Sequence, residues 1–190
     1  MMGGFKKAHA NQNHEIELPT KEQIKKGFDA LTDDMERAIY LFYATTGLRN
    51  SEGLKLNRFE DLEYELRAVK SKHDTRTKKA GIAFYNAECE TWLKRYLDSR
   101  KDDSERLFRV YWKRFFRIWK KASKGAGVKI GPQILRKWHA TQLGELGVPD
   151  RFVDIFQGRA PRTVLAAHYT GTNLATLKAI YDKANLKVIS

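Results

Sequence analysis

Three short segments of the 190-residue sequence place an arginine near a glycine or on a predicted helix. They are TTGLRNSEGL at 45–54, QILRKWHAT at 133–141 and QGRAPRTVLAAHY at 157–169. Their candidate arginines are Arg49, Arg136 and Arg159, and the third segment ends in Tyr169. A guanidinium group binds phosphate bidentately through its rigid fork of N–H donors, and it stays charged at neutral pH. The three segments are therefore candidates for the parts of one phosphate-binding site.

The sequence lacks the common motifs of metal and nucleotide chemistry. No two of the five histidines have the spacing that would place them on one helix face with a carboxylate, and there is no HExxH motif or cysteine pair. A P-loop and a GxGxxG motif are also absent. We therefore expect no metal site and no cofactor, and we expect any reaction to proceed without a nucleotide.

The composition is that of a folded and strongly basic protein. Lysine and arginine number 36 against 23 acidic residues, so the formal charge is +13, which is typical of proteins that bind nucleic acid. A hydrophobic fraction of 42% excludes a disordered chain, and 190 residues fit one domain. The sequence has one cysteine, no secretory signal and no apolar run of membrane-spanning length. We therefore expect a cytoplasmic, nucleoid-associated protein.

Positive charge is concentrated between residues 106 and 137, which contain eleven lysines or arginines and no acidic residue. The cationic residues with helical spacing there are Arg109, Lys113, Arg117, Lys121 and Lys124. The aromatic residues with the same spacing are Phe108, Trp112, Phe115 and Trp119. We predict one helix that buries this aromatic face and binds DNA phosphates through the cations at 109, 113, 117 and 121. A merely solvated face is the alternative, but such a face normally mixes both signs of charge.

Caps and periodicity predict the elements that position these residues. Residues 1–18 are polar and aperiodic, which indicates a flexible leader, and one domain is predicted over 19–190. A first helix follows Thr20, and a second begins at 32–34 and ends at Gly47 in a left-handed conformation. Alternation over 62–68 and 82–84 predicts an antiparallel hairpin or small sheet. Further helices are predicted near 87–98, 107–123, 132–146, 149–157, 162–169 and 173–185, so the fold class is mostly α with a small antiparallel β-sheet.

Taken in order, the three segments resemble the boxes of the tyrosine recombinase (phage-type integrase) catalytic domain. TGLRNSE at 46–52 fits the first box, the helix with Arg136 followed by AT fits the second, and the segment ending in Tyr169 fits the third. Its QGRxP and VLxxHY patterns are most similar to integrases of archaeal viruses and plasmids, the fusellovirus type. The resemblance covers residues 19–186 and implies the α+β catalytic-domain fold. It also implies a site-specific recombinase that cuts and rejoins DNA without a metal ion or ATP.

The resemblance implies a role for the tyrosine and the first two arginines. Tyr169 would attack phosphorus and form a 3′-phosphotyrosine bond, while Arg49 and Arg136 hold the non-bridging oxygens. Each residue taken singly has a more ordinary interpretation. Arg49 alone would be a surface arginine paired with Glu52, and Tyr181 is an equal candidate by residue type for the position of Tyr169.

The resemblance also implies an acid for the departing 5′-oxygen, and the sequence departs from the family at two positions. Lys72, at the end of the first predicted strand, is our choice of acid, and its competitors at the start of the second strand are Lys78 and Lys79. Gln133 stands where the family usually has His or Lys, so it can donate a hydrogen bond to the DNA phosphate but cannot transfer a proton. Arg159 stands where the family usually has His, so we expect a third phosphate clamp and a site that relies on charge more than on proton transfer.

Two other functions remain open from the sequence alone. A type IB topoisomerase shares this chemistry but relaxes supercoils, and a non-catalytic DNA-binding protein would use the same scaffold. The expected partners are double-stranded DNA and further copies of the chain, as a homotetramer on DNA and a monomer or weak oligomer without it. Family members usually carry an N-terminal domain that completes a clamp around the duplex, and we expect this chain to hold the catalytic domain alone.

Overall fold

The computed structural model describes residues 17–70, 82–159 and 173–190. The elements in chain order are α1 (Lys21–Asp29), α2 (Asp34–Thr46), α3 (Asn50–Gly53), β1 (Leu62–Glu63), β2 (Ala68–Lys70), β3 (Ile82–Phe84), α4 (Ala87–Asp98), α5 (Trp112–Ala126), α6 (Pro132–Glu145), α7 (Asp150–Phe156) and α8 (Leu174–Ala184). The predicted fold class, mostly α with a small antiparallel sheet, is confirmed. The predicted helix at 162–169 and nearly all of the predicted leader lie outside the described residues.

Helix α2 lies at the centre of the fold. It begins at Asp33, whose carboxylate accepts hydrogen bonds from the main-chain N–H groups of Met35 and Glu36. Most sides of the helix are apolar and must be covered, and α1, α4 and α6 pack against it. It ends at Gly47, which has a φ of 61° and adopts the predicted left-handed conformation.

The sheet is antiparallel with the strand order β1-β2-β3, and Ala68 pairs with Phe84. The expectation of one alternating strand over 62–68 is wrong, because the chain turns at residues 64–67. Arg67 has a φ of 48° in this turn, and its guanidinium contacts Glu90 of α4 and Asp182 of α8. The predicted hairpin is therefore the β2–β3 pair, whose connecting residues lie outside the described part of the chain.

Helix α5 begins at Trp112, later than the predicted start at residue 107. The preceding segment is held in place by long-range hydrogen bonds that the helical spacing does not reveal. The Leu107 N–H donates to the Leu56 carbonyl, and the Arg100 guanidinium donates to the carbonyls of residues 104, 106 and 107. These bonds take the place of helical ones, so the helix starts only after this segment ends.

The predicted aromatic face of α5 is correct in its second half and wrong at its start. Phe115 and Trp119 are buried on the helix as predicted. Phe108 is also buried, but it enters the core from the segment before the helix and packs against Phe42 with 5.2 Å between ring centroids. Trp112, in contrast, is 65% exposed. The first turn of α5 therefore presents an aromatic ring to solvent.

Helix α8 and the last residues pack on the core of the same chain. The buried Tyr181 hydroxyl donates to the Thr45 carbonyl at 2.8 Å, and the Glu88 carboxylate accepts hydrogen bonds from the main-chain N–H groups of Val188 and Ser190. The C-terminus thus covers the ends of α2 and α4. None of the described helices has the length and apolar character needed to cross a membrane.

We expect Lys121→Gln to lower the free energy of unfolding by about 1–3 kcal/mol. Glu36 is only 4% exposed, and the Lys121 ammonium lies 2.9 Å from both of its carboxylate oxygens, so the substitution leaves a buried charge without this partner. Lys113→Gln, on the exposed side of α5, is the matched control and should leave stability unchanged. Urea unfolding followed by circular dichroism measures both variants, and equal midpoints would contradict this interpretation.

Candidate active site

The three predicted arginines line one open cavity of about 490 Å³. Arg49 follows α2, Arg136 lies on α6 and Arg159 follows α7, so segments far apart in the sequence meet here. Gln133 also lines the cavity, about one helical turn before Arg136. The other lining residues are Asn50, Ser51 and Lys137. Four of the residues predicted for the site therefore come together in the structure.

Arg49 is oriented by Glu52, three residues later in the chain. The Arg49 main-chain N–H donates to one carboxylate oxygen of Glu52 and its guanidinium donates to the other, each at 2.9 Å. The Arg49 side chain remains 37% exposed. Glu52 therefore fixes one edge of the guanidinium and leaves part of the group accessible from the cavity.

Arg136 is buried, and two main-chain carbonyls hold its guanidinium. Its Nη1 donates to the Gly47 carbonyl and its Nη2 to the Gln157 carbonyl, each at 2.6 Å. Burial, together with the charges of Arg49 and Arg159 and against the opposing effect of the Glu52 carboxylate, lowers the pKa of Arg136 to about 10. The group still keeps its proton at neutral pH. Carbonyls orient a guanidinium without neutralising it, so the positive charge remains available to a ligand.

Gln157 and His139 support Arg136 from the protein interior. The fully buried Gln157 side chain donates from Nε2 to the Arg136 carbonyl at 2.8 Å, and the same nitrogen lies 3.1 Å from His139 Nδ1. Burial lowers the pKa of His139 to about 3, and the charge of Arg136 adds to the effect. A neutral ring can accept the amide hydrogen of Gln157 at Nδ1. His139 is therefore a packing residue and does not donate protons at neutral pH.

Arg159 and Gln133 occupy more exposed positions on the cavity wall. The Arg159 guanidinium lies 3.3 Å from the Asp154 carboxylate, and its side chain is 40% exposed. Gln133 is exposed on the first turn of α6, where the helix dipole places partial positive charge. Both side chains are placed to contact an anion in the cavity.

The predicted nucleophile and the predicted acids lie outside the described residues. They are Tyr169, Lys72, Lys78 and Lys79. Tyr181, the other tyrosine that the sequence left open, is buried, and burial raises its pKa well above that of a free tyrosine. Its hydroxyl already donates to a main-chain carbonyl of α2. Tyr181 is therefore a core residue and a poor candidate for a nucleophile.

The predicted DNA-binding face is only partly available. Arg109, just before α5, and Lys113 and Arg117 on the helix are exposed, and within the described ranges none of them forms an ion pair with a carboxylate. Lys121 is instead engaged with the buried Glu36. Three of these four cations are therefore free to contact phosphate, while the fourth already stabilises the core.

Sequence reasoning missed the two carbonyls that hold Arg136. The sequence predicts only that Gly47 ends a helix, and it contains Gln157 in the third segment without indicating a role for it. Both stand two residues before an arginine of the cavity, Arg49 or Arg159. A turn that directs an arginine side chain into the cavity also directs the carbonyls of the preceding residues. The two-residue spacing is therefore the sequence signal that points to these carbonyls.

The arrangement is suited to an anion. Three guanidinium groups face one cavity, and their mutual repulsion contributes to the lowered pKa of Arg136. A bound phosphate would relieve this repulsion and accept charge-assisted hydrogen bonds. Over residues 17–70, 82–159 and 173–190, no three His, Cys, Asp or Glu side chains are grouped so that they could hold a metal ion.

The sequence matches the family model described as archaeal phage integrase over residues 16–184. The tyrosine recombinase XerA of Pyrococcus furiosus is 30% identical over 178 residues, which cover 88% of this chain and 61% of that protein. The chain therefore spans about three fifths of the length of this relative.

Solved structures share the fold. The crystal structure of a XerA recombinase superposes with a TM-score of 0.69 at 24% identity, covering 95% of this chain and 68% of the other. The Tn1549 transposon integrase, solved in complex with transposon right end DNA, superposes with a TM-score of 0.64 at 17% identity, covering 93% and 69% of the two chains. The predicted catalytic-domain fold is confirmed.

We expect Gly47→Ala to destabilise the protein by about 1–3 kcal/mol more than Gly127→Ala. Both glycines have positive φ, 61° and 71°, so both variants share the backbone strain. A Cβ at Gly47 would also lie 2.6 Å from His139 Nδ1 and 2.9 Å from Gln157 Nε2, whereas nothing lies within 4 Å of a Cβ at Gly127. Thermal unfolding compares the two variants. Equal losses of stability in the two variants would show that Gly47 is required only for its left-handed backbone conformation and not for the close packing against His139 and Gln157.

Proposed function

Since the chain belongs to the archaeal phage integrase family, we propose that it is the catalytic domain of a site-specific tyrosine recombinase, which cleaves and rejoins DNA. The observation that carries this proposal is the convergence of Arg49, Arg136 and Arg159 on one cavity. The similar Pyrococcus furiosus protein is a tyrosine recombinase, and the similar Tn1549 integrase is bound to DNA, which supports DNA as the substrate.

The scissile phosphate occupies the cavity. Arg136 uses one N–H of each terminal nitrogen on the protein carbonyls, which leaves its other donors for a non-bridging phosphate oxygen. Arg49 and Arg159 contact the same group from the more open walls of the cavity. Negative charge builds on these oxygens in the transition state, and one preorganised donor of this kind is worth about 3 kcal/mol of barrier.

Tyr169 supplies the nucleophile. Its phenolate oxygen attacks phosphorus, the bond to the 5′-oxygen breaks, and a 3′-phosphotyrosine bond forms. A free phenol has a pKa of about 10, and nearby guanidinium groups favour its ionised form. The new bond replaces one phosphodiester with another, so attack by a 5′-hydroxyl reverses the step without ATP.

A lysine supplies the proton of the departing 5′-oxygen. Lys72 is the proposed donor, with Lys78 and Lys79 as competitors. An alkoxide is a poor leaving group, and protonation by a positioned acid typically contributes about 10²–10⁴ in rate. Gln133 cannot take this role and donates a hydrogen bond to the phosphate instead.

Double-stranded DNA is the proposed partner, contacted beyond the cavity by Arg109, Lys113 and Arg117. Phosphate contacts of this kind release counterions, so affinity falls steeply with salt. Exchange of strands between two duplexes requires four active sites, so the proposed assembly on DNA is a homotetramer. The proposed location is the cytoplasm, on the nucleoid.

We expect the chain to form a covalent adduct with a duplex that carries a nick a few nucleotides beyond the cleavage site. After cleavage, the short fragment with the free 5′-hydroxyl diffuses away, so the strand cannot be rejoined and the adduct accumulates. Tyr169→Phe removes the nucleophile and should abolish the adduct on denaturing gels. Tyr181→Phe is the matched control and should retain it, because that hydroxyl is buried and bonded to the Thr45 carbonyl.

A wild-type chain that binds the nicked duplex without forming the adduct would favour the non-catalytic alternative. An undiminished adduct with Tyr169→Phe would exclude this residue as the nucleophile. The sequence of the duplex is chosen by a preceding binding experiment that identifies DNA to which the chain binds.

We expect sulfur in place of the bridging 5′-oxygen to rescue the variant that lacks the acid. A thiol has a pKa of about 8.5, so a thiolate departs without a proton. Lys72→Ala should slow cleavage of the all-oxygen duplex by about 10²–10⁴ and cleave the sulfur duplex at the wild-type rate. Lys78→Ala and Lys79→Ala are measured beside it. If the sulfur duplex restored the cleavage rate of one of these two variants and not that of Lys72→Ala, the substituted lysine of that variant would be the acid.

A further inference from the structure

Three large aromatic rings are exposed together at the start of α5. Tyr111 is 76% exposed, Trp112 is 65% exposed and Phe116 is 62% exposed. Trp112 and Phe116 are four residues apart on the helix, so their side chains are neighbours on its surface. Exposed apolar surface of this kind, when clustered, marks an interaction site more often than scattered single residues do.

The Trp112 ring packs on the aromatic core. The Trp112 ring stacks on the buried Phe115 ring with 6.2 Å between centroids and 27° between planes. Phe115 in turn packs edge-on against Tyr43 and Trp119 of the core. Trp112 is therefore positioned by a packed aromatic column, while most of its surface remains in solvent.

Cations surround the rings. Lys113 and Lys120 lie one turn before and one turn after Phe116, and both are exposed together with Arg117. No acidic residue occurs between residues 106 and 137. An apolar protein surface that covered the rings would remove these cations from water without providing partners for them, at a considerable cost. A polyanion satisfies both the rings and the charges.

A chain of packed side chains runs from the ring cluster to the arginine cavity. Phe115, beneath Trp112, packs against Tyr43 with 5.9 Å between centroids, and the Tyr43 hydroxyl donates to the Asn50 carbonyl at 2.9 Å. Asn50 lines the cavity beside Arg49. Two core rings, Phe115 and Tyr43, therefore connect Trp112 to a residue that lines the cavity. A DNA strand that leaves the cavity on this side of the protein would meet the rings.

We propose that Tyr111, Trp112 and Phe116, which we name the ring platform, bind unpaired DNA bases next to the cleavage site. This proposal rests on the proposed function, because unpaired bases arise next to the cut when strands are cleaved and exchanged. In an intact duplex the base faces are covered by their neighbours, whereas an unpaired base offers a π-face to an aromatic ring. The exposed lysines and arginine bind the phosphates of the same strand, as in other surfaces that hold single strands.

The test compares a fluorescent oligothymidylate of about 12 nucleotides with a mixed-sequence duplex at matched salt. Combined Trp112→Ala and Phe116→Ala substitutions should weaken oligothymidylate binding by about tenfold or more for the two rings and change duplex affinity by less than about threefold. Phe59→Ala removes an equally exposed ring, 65%, outside the platform and should change neither affinity. Lys113→Gln should weaken both and reduce their salt dependence.

Two outcomes would overturn the ring platform. Either oligothymidylate binding is unchanged in the double variant, or both affinities fall equally, which would assign the rings to duplex contacts. Size-exclusion chromatography and circular dichroism of the variants are measured in parallel. A change of oligomeric state in the double variant, with unchanged affinity for the oligonucleotide, would assign the rings to a contact between copies.

Failure of the proposed function gives a different result. Adduct formation by the wild-type chain on the nicked duplex is recorded in the same experiment. Its absence would overturn the recombinase proposal, while the oligothymidylate measurement still decides whether the rings bind unpaired bases.

Discussion

The buried charge of Arg136 is the constraint on which the arginine cavity depends. Arg100 shows the alternative: its side chain is 3% exposed, and the Asp102 carboxylate lies 2.6 Å away. Burial lowers the pKa of Arg100, but the hydrogen bond and charge of Asp102, together with smaller contributions from Tyr96 and Tyr64, outweigh it, so the pKa of Arg100 is raised. The pKa of Arg136, in contrast, falls to about 10. A carboxylate neutralises a buried guanidinium and makes it structural. Two carbonyls only orient Arg136, so its charge is still to be balanced, and a bound phosphate would balance it.

Helix ends supply the two carbonyls, and one core tyrosine ties those ends together. Tyr181 bonds the Thr45 carbonyl near the end of α2 and packs against Phe156, the last residue of α7, at 5.7 Å between centroids. Its ring also stacks on His139 of α6 at 6.5 Å. The three helices that position Arg136 thus meet around one side chain of α8. This packing explains why His139 is neutral and why the carbonyls at 47 and 157 stay at bonding distance.

The sequence predicted the features that neighbouring residues determine and missed those that distant contacts determine. The cap of the first helix involves Thr20 and Gln23, three residues apart, and it is present, as is the left-handed conformation at Gly47. The buried position of Phe108 and the exposed position of Trp112 depend on the Leu107–Leu56 hydrogen bond, across a separation that periodicity does not report. The arginines of the cavity are recognisable by type and motif, but the two carbonyls that hold Arg136 belong to the main chain, and only the spacing of Gly47 and Gln157 before the next arginine points to them.

The geometry also explains how a site with Gln133 and Arg159 in place of proton-transferring residues remains chemically coherent. His139 is nearby but buried, and its pKa of about 3 excludes it as an acid or base at neutral pH. Guanidinium groups hold their protons at neutral pH, so these side chains stabilise charge without relaying protons. Phosphoryl transfer needs electrostatic stabilisation at the non-bridging oxygens throughout. In the proposed reaction the phenol loses its proton to water before the attack, and a proton is supplied only at the leaving oxygen. In the proposed reaction, a single acid at the leaving oxygen therefore completes a cavity that is otherwise lined with positive charge.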